Sequence, residues 1–100
     1  MEYELRRNRI RPGGMDDFLD AWLAQVPPLR RQFGFQFLGA WVADDKDQFV
    51  WILSYDGPDG FDAADARYYA SPARAALDPD PAQWFETVEH VRLRAILPTD

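Results

Sequence analysis

The chain has 100 residues, of which 47% are hydrophobic and 15% aromatic, a composition that predicts one globular domain over residues 1–100. Its net charge of -6 repels phosphate backbones, so nucleic acid is not an expected partner. Because it has no cysteine, disulfides, thiolate catalysis and cysteine-based zinc sites are excluded.

The first part of the chain predicts a strand followed by a long helix. Residues 2–11 alternate loosely and end at the turn signal "RPGG", which favours a strand. Over residues 15–34 the apolar side chains recur at three- and four-residue steps, a spacing typical of an amphipathic helix. The pair Pro27-Pro28 predicts that this helix is broken or kinked.

The middle of the chain predicts a β-hairpin over residues 35–43 and 48–56, joined by the polar turn "DDKD". A short helix over residues 61–70 follows. The side chains of Phe61, Ala64 and Tyr68 share one side of it, so Tyr68 is predicted to be buried and Tyr69 to edge a pocket.

Two capping signals and a final strand complete the chain. Ser71-Pro72 and Asp80-Pro81 each place a capping residue before a proline, which predicts two further helical turns. Residues 86–97 alternate as a last strand before Pro98.

The order β-α-β-β-α-β predicts an α+β, ferredoxin-like domain, an antiparallel sheet with both helices on one face. Such a sheet leaves its other face without cover, and a domain this small gains from burying it against a second copy. We therefore expect a homodimer.

The cellular location is expected to be cytoplasmic, without a membrane partner. The chain opens "MEYELRR", with charges where a signal peptide has an apolar run. No apolar stretch reaches the roughly 18 residues that span a bilayer.

Alternation divides the strand residues into two sets. An aliphatic set is predicted to pack under the helices: Leu5, Leu38, Ala40, Val42, Val50, Ile52, Val91, Leu93, Ala95 and Leu97. A mixed aromatic and ionic set is predicted on the far face: Glu4, Arg6, Asn8, Trp41, Trp51, Tyr55, His90, Arg92 and Arg94. This second composition predicts a partly polar cavity between two sheets that binds a small molecule.

His90, the only histidine, is the candidate catalytic base or acid, because an imidazole titrates near neutral pH. A hydrogen-bonded structural histidine is the alternative. No metal site is expected, since one histidine without cysteine would need several carboxylates to converge.

The other members of the mixed set are candidates for binding substrate. The arginines could hold a carboxylate or an enolate, or instead pair with Glu4. The aromatic residues could stack on a planar ligand, or instead pack in the core or an interface.

The segments "YELRRNRIRPGGMDDFLDAW", "FGFQFLGAWV", "FVWILSYDG" and "RYYASPARAAL" together resemble the NIPSNAP-like branch of the dimeric α+β barrel superfamily. The resemblance implies a ferredoxin-like protomer whose sheet pairs with its twin, with a cavity inside the barrel or under the helices. The wider superfamily includes cofactor-free monooxygenases, haem-degrading enzymes and muconolactone isomerases. In this chain Asn8 replaces the aromatic of "ELRxY", and Trp51 stands where the family often has histidine.

Two functional hypotheses follow. The first is a homodimeric, cofactor-independent enzyme acting on a small aromatic or carbonyl-bearing metabolite, with His90 as base. The second is a non-catalytic dimer that binds a metabolite or serves in protein interaction.

Overall fold

The computed structural model describes residues 1–43 and 46–97. The strands are β1 (Glu2–Ile10), β2 (Gln36–Ala43), β3 (Gln48–Tyr55) and β4 (Phe85–Leu93). The helices are α1 (Met15–Gln32), α2 (Phe61–Ala70) and α3 (Pro72–Ala75), followed by a 3-10 turn at Pro81–Trp84. Within these ranges, no helix combines the length and the apolar character needed to cross a membrane.

The four strands form one antiparallel sheet in the order β2-β3-β1-β4. The first strand therefore lies at the centre, between β3 and the last strand. This order and the sequence of elements confirm the predicted ferredoxin-like α+β fold.

The long helix α1 is built by its apolar face and its ends. Asp16 and Asp17 lie in its first turn, and Arg30 and Arg31 in its last turn, so both ends complement the helix dipole. The helix continues through Pro27 and Pro28, and the predicted break there is wrong. Each proline removes one backbone donor, but the carbonyls concerned belong to exposed residues that can bind water.

The assignment of the two sheet faces is the main correction to the sequence analysis. The face under the helices carries most of the mixed set. Glu4, Arg6, Asn8, Trp51 and Tyr55 are buried there, together with Phe49 and Leu53. Rings from α1 meet this face edge to face. The ring centroid of Trp22 lies 5.3 Å from that of Trp51, and the centroid of Phe18 lies 4.9 Å from that of Phe49. The core is therefore aromatic, and the cavity expected between two sheets lies between sheet and helices instead.

Most of the aliphatic set, which was predicted to be core, lies on the open face of the sheet. Val42 is an exception, because it packs against the core as predicted. Leu38 and Val91 are exposed, and Leu5, Val50, Ile52 and Leu93 are only half-buried. We call this surface the open face.

A β-bulge in β2 moves Trp41 away from the other aromatic residues. Phe37 pairs with Leu53, but Gly39 pairs with Ile52, so Leu38 is one extra residue on β2. The shift reverses the phase of the remaining strand. Trp41 consequently pairs with Val50 on the open face and is 53% exposed, so its predicted place beside Trp51 is wrong.

The end of the last strand, the phase of α2 and the two helix caps were also predicted from the sequence. The last strand ends at Leu93. Ala95 and Leu97 were predicted to be strand residues, and this prediction is wrong. Tyr68 is 1% exposed, which confirms the predicted phase of α2. Ser71 and Asp80 each accept a hydrogen bond from the helical turn that follows, confirming both caps. The first two residues of the "DDKD" turn lie outside the described ranges.

Candidate functional site

Buried charges link the centre of the sheet to both helices. Arg6 on β1 donates from Nη2 to Oδ2 of Asp65 at 2.9 Å, and Arg30 on α1 donates from Nη1 to Oδ1 at 2.7 Å. The two guanidinium groups also donate to the hydroxyl of Tyr69, at 3.0 and 3.4 Å. We call Arg6, Arg30, Asp65 and Tyr69 the arginine cluster.

Aromatic rings hold the arginine cluster in place. The guanidinium of Arg30 lies 3.8 Å from the ring centroid of Tyr68 and 4.7 Å from that of Phe35, so it is clamped between two π faces. Arg6 and Arg30 are almost fully buried, and charges at such depth persist only when they are paired. The cluster is therefore a rigid, preformed array of donors.

A second set of contacts centres on Glu4, next to Arg6 on the same sheet face. Its Oε1 lies 3.4 Å from Nε of Arg6 and 3.3 Å from Nδ1 of His90, and its Oε2 lies 3.2 Å from Nη2 of Arg92. Glu4 is buried, while the side chains of His90 and Arg92 are 41% and 38% exposed. This carboxylate lies on the Nδ1 side of the imidazole, so Nε2 is free of that contact.

Arg92 acts mainly as a structural residue. It donates to Glu2 at 2.8 Å and to Asp62 at 2.6 Å, in addition to Glu4. Glu2 in turn accepts from the backbone N–H of Phe61 at 2.7 Å, where α2 begins. These bonds fasten the start of α2 to the edge of the sheet.

A cavity of about 220 Å³ opens between the sheet and the segment from α2 to β4. We call it the sheet–helix cavity. Its polar wall consists of Arg6, Asn8, Tyr69, Arg74 and His90. Its apolar wall consists of Trp51, Ala82, Phe85 and Val88. Among the described residues that line it none is acidic, because Glu4 and Asp65 lie behind the arginine and the imidazole.

Arg74 reaches the cavity from α3. The Oγ of Ser71 caps this helix by accepting from the backbone N–H of Arg74 at 3.1 Å. The guanidinium lies 5.6 Å from the ring centroid of Tyr69 and pairs with Asp80 at 3.2 Å. The two capped turns therefore fix the rim of the cavity.

Two pKa shifts define the charge states in the site. Partial burial and the charge of Arg6 lower the pKa of His90, although Glu4 and Asp65 oppose them. Burial favours a higher pKa for Asp65, but Arg6 and Arg30 outweigh it and hold that pKa below its usual value. At neutral pH the site therefore has a neutral imidazole beside an ionised, paired aspartate.

The structure brings most of the predicted site residues together. Glu4, Arg6, Asn8, Trp51, Tyr69, His90 and Arg92 meet around the cavity or directly behind it. Three others lie elsewhere. Trp41 and Arg94 are on the open-face side, and Tyr55 donates to Asp59 at 2.6 Å at the far end of β3.

Arg30 and Asp65, which complete the cluster, were not among the predicted site residues. A signal for both missed residues was present. Arg30 lies four residues after the buried Val26, within the apolar stripe of α1, and Asp65 lies four residues after the buried Phe61 on α2. Charged residues in phase with a buried stripe indicate a buried ion pair.

This arrangement can orient a small, flat, electron-rich molecule. The aromatic wall can bind a planar group, and the acid-free polar wall can accept a carbonyl or carboxylate oxygen. The neutral imidazole can take a proton from such a ligand.

Comparison with solved structures supports the fold over the full chain. An uncharacterised NIPSNAP domain protein from Burkholderia xenovorans is 26% identical, with a TM-score of 0.84 and 100% of both chains covered. A NIPSNAP family protein from Agrobacterium tumefaciens is 23% identical, with a TM-score of 0.81, covering 99% of this chain and 93% of that one.

A more distant structural relative is described as an antibiotic biosynthesis monooxygenase. This protein, from Nitrosomonas europaea, is 17% identical, with a TM-score of 0.72, covering 99% of this chain and 93% of that one. At that identity the likeness shows the fold alone.

No match to the chain is found among curated proteins. The NIPSNAP family model matches residues 3–100, which is nearly the whole chain. The chain therefore belongs to the NIPSNAP family.

Proposed function

We propose that the protein is a cofactor-independent enzyme that moves protons on a small aromatic or carbonyl-bearing metabolite bound in the sheet–helix cavity. The observation that carries the proposal is the contact of 3.3 Å between Nδ1 of His90 and the buried Glu4. It places a buried carboxylate on the Nδ1 side of the imidazole and leaves Nε2 free of that contact, a placement that suits a general base.

Electrostatics in the cavity support a substrate that gains negative charge during the reaction. Removing a proton beside a carbonyl group produces an enolate, whose charge collects on oxygen. The cavity wall has the cations Arg6 and Arg74, and positive charges fixed near a developing oxyanion lower its energy.

The test uses phenylpyruvate, a flat aromatic keto acid, in deuterium oxide. Exchange of its C3 protons is followed by proton NMR and compared with the buffer rate. His90→Gln is expected to slow the enzymatic exchange by about 10²- to 10⁴-fold. Glu86→Gln, an exposed change on the same strand, is the matched control and should leave the rate unchanged. A His90→Gln protein as fast as the wild type would contradict the assignment of the base.

A second candidate function is binding without turnover. It is favoured by Arg6, whose guanidinium is already engaged by Asp65 and Tyr69 and so has little freedom to follow a reacting group. Phenylpyruvate that binds, as measured by calorimetry, without exchange above the buffer rate would support this candidate.

We further propose that the protein is a homodimer through its open face. A depression of about 380 Å³ lies there, lined by Tyr3, Leu38, Ile52, Leu93, Arg94, Ala95 and Leu97. An apolar face of this kind is costly in water. Sedimentation should give a dimer mass for the wild type and a monomer mass for Ile52→Glu. Leu23→Glu, an exposed position on α1, is the control that should stay dimeric.

A further inference from the structure

Tyr69 has a hydroxyl group whose acceptor sites are both occupied by charged donors. Nη1 of Arg6 donates to it at 3.0 Å and Nη2 of Arg30 at 3.4 Å. A guanidinium can only donate, so both bonds use lone pairs of the phenolic oxygen. The single O–H hydrogen must therefore point away from both arginines, and this side chain lines the sheet–helix cavity.

We propose that Tyr69 is a second catalytic residue, which donates its hydroxyl hydrogen to the carbonyl oxygen of the ligand and transfers it as the enol forms. This inference rests on the proposed function, because it assigns a role in the same cavity to a residue other than the base.

The two guanidinium groups that bond to Tyr69 are held in place by Asp65. Asp65 takes one bond from each arginine, and this pairing keeps both guanidinium groups from turning toward a ligand. The buried Nε atoms of Arg6 and Arg30 have no hydrogen-bond partner within the described ranges. An oxyanion at Tyr69 would therefore be stabilised by two fixed cations that need not move.

The position of the base completes the geometry. Tyr69 belongs to α2 and His90 to β4, and both side chains line the cavity between them. A ligand in this space thus lies between a proton acceptor on the sheet side and a proton donor on the helix side. This arrangement suits a reaction that needs both groups at once.

The proposed step is an enolisation that needs no oxidant, reductant or second substrate. Nε2 of His90 takes a proton from the carbon next to the carbonyl, and the C–H electron pair forms a C=C bond. The carbonyl π pair moves to oxygen, which takes the Tyr69 proton. The reverse transfers return one proton to carbon and one to Tyr69, and they restore the ketone.

The test is Tyr69→Phe, which keeps the ring and removes the hydroxyl. Deuterium exchange into phenylpyruvate should slow by about 10²-fold. Binding of phenylpyruvate should weaken by about 3- to 10-fold, the loss of one hydrogen bond. Binding of 3-phenylpropanoate, which lacks the keto group, should not change. Tyr55→Phe, the same chemical change at the far end of β3, should leave the exchange rate unaltered.

The outcomes separate this inference from the proposed function. A Tyr69→Phe protein with wild-type exchange, while His90→Gln remains slow, would overturn the role of Tyr69 alone. If the binding of both ligands weakened equally, the role of Tyr69 would also be overturned, because the residue would then only contact the ligand as part of the cavity wall. A wild-type protein that neither binds phenylpyruvate nor exchanges its protons would overturn both proposals.

Discussion

The carboxylate of Asp65 lies 2.7 Å from Nη1 of Arg30, and this ion pair joins α2 to α1. Its second oxygen takes a bond from Arg6 at 2.9 Å, so one side chain neutralises two buried cations from two other elements. The same contacts that tie both helices to the sheet also hold the hydroxyl of Tyr69 in the cavity. Stability and the candidate chemistry therefore depend on one carboxylate.

Removing this charge is expected to destabilise the fold strongly. In Asp65→Asn the guanidinium groups of Arg6 and Arg30 stay buried without their shared anion. Breaking a buried pair in this way costs about 3–5 kcal/mol. The control is Asp62→Asn, whose carboxylate is 90% exposed where it pairs with Arg92, and exposed pairs contribute at most about 1 kcal/mol. Urea unfolding measures the loss of unfolding free energy in both variants, and equal losses would contradict a central role for Asp65.

The stability of the wild type should also fall in acid because of this residue. The pKa of Asp65 is lower in the folded protein than its ordinary value of 3.8, so the folded state binds its proton less readily than the unfolded chain. Its contribution is thus present above about pH 4 and is lost as the pH falls through the folded pKa. The gap in unfolding free energy between wild type and Asp65→Asn should narrow below pH 4. A gap that stays constant from pH 7 to pH 3 would refute this linkage.

The fold was predictable because its signals are local. Apolar spacing in α1, the polar turn in the hairpin and the caps at Ser71 and Asp80 each act within a few residues. Their order then leaves few topologies for a chain of this length. The resemblance to a known family agreed with that reading and extended over the same residues.

The orientation of the sheet was not predictable from alternation. A period of two sorts residues into sets without stating which set meets the helices. Here both sets contain large apolar side chains, and the absence of charge in the aliphatic set favoured it as the core. The rings of Phe18 and Trp22 on α1 instead match the aromatic set, and the charges on that face are neutralised by Asp65 and Glu4.

Part of the site was predictable from the alternation of side chains along the strands. Glu4, Arg6 and His90 were grouped correctly, because residues two apart on paired strands share a face wherever the register is regular. Trp41 was misplaced because the bulge at Leu38 leaves no clear mark in the sequence. Asp65 was missed because its partners come from β1 and α1, far away along the chain.

The two tryptophans of the hairpin test the corrected faces. Trp51 is 5% exposed and Trp41 is 53% exposed. Trp51→Ala should lower the unfolding free energy by about 3–5 kcal/mol, because it leaves a cavity in the core. Trp41→Ala should change the unfolding free energy of the monomer by about 0.5 kcal/mol or less. Urea unfolding of both variants in the Ile52→Glu background, which is expected to be monomeric, makes the comparison. Similar losses would contradict the assignment of faces.

The titration of His90 tests the electrostatics of the site without any substrate. The charged groups around this imidazole are Glu4 and Arg6 on β1, Asp65 on α2 and Arg30 on α1, with Arg92 two residues along its own strand. Burial and the arginines prevail, so the pKa of His90 should lie below 6.5. As the only histidine, it gives a single imidazole signal to follow by NMR.

Glu4 opposes this lowering, since its negative charge favours the imidazolium ion. Glu4→Gln should therefore move the pKa of His90 further down, while the exposed change Glu86→Gln should leave it in place. If His90 is the base, the acid limb of phenylpyruvate exchange must move to lower pH together with the NMR titration, because only the neutral imidazole accepts a proton. An acid limb that stays in place while the NMR pKa moves would show that another group sets the rate.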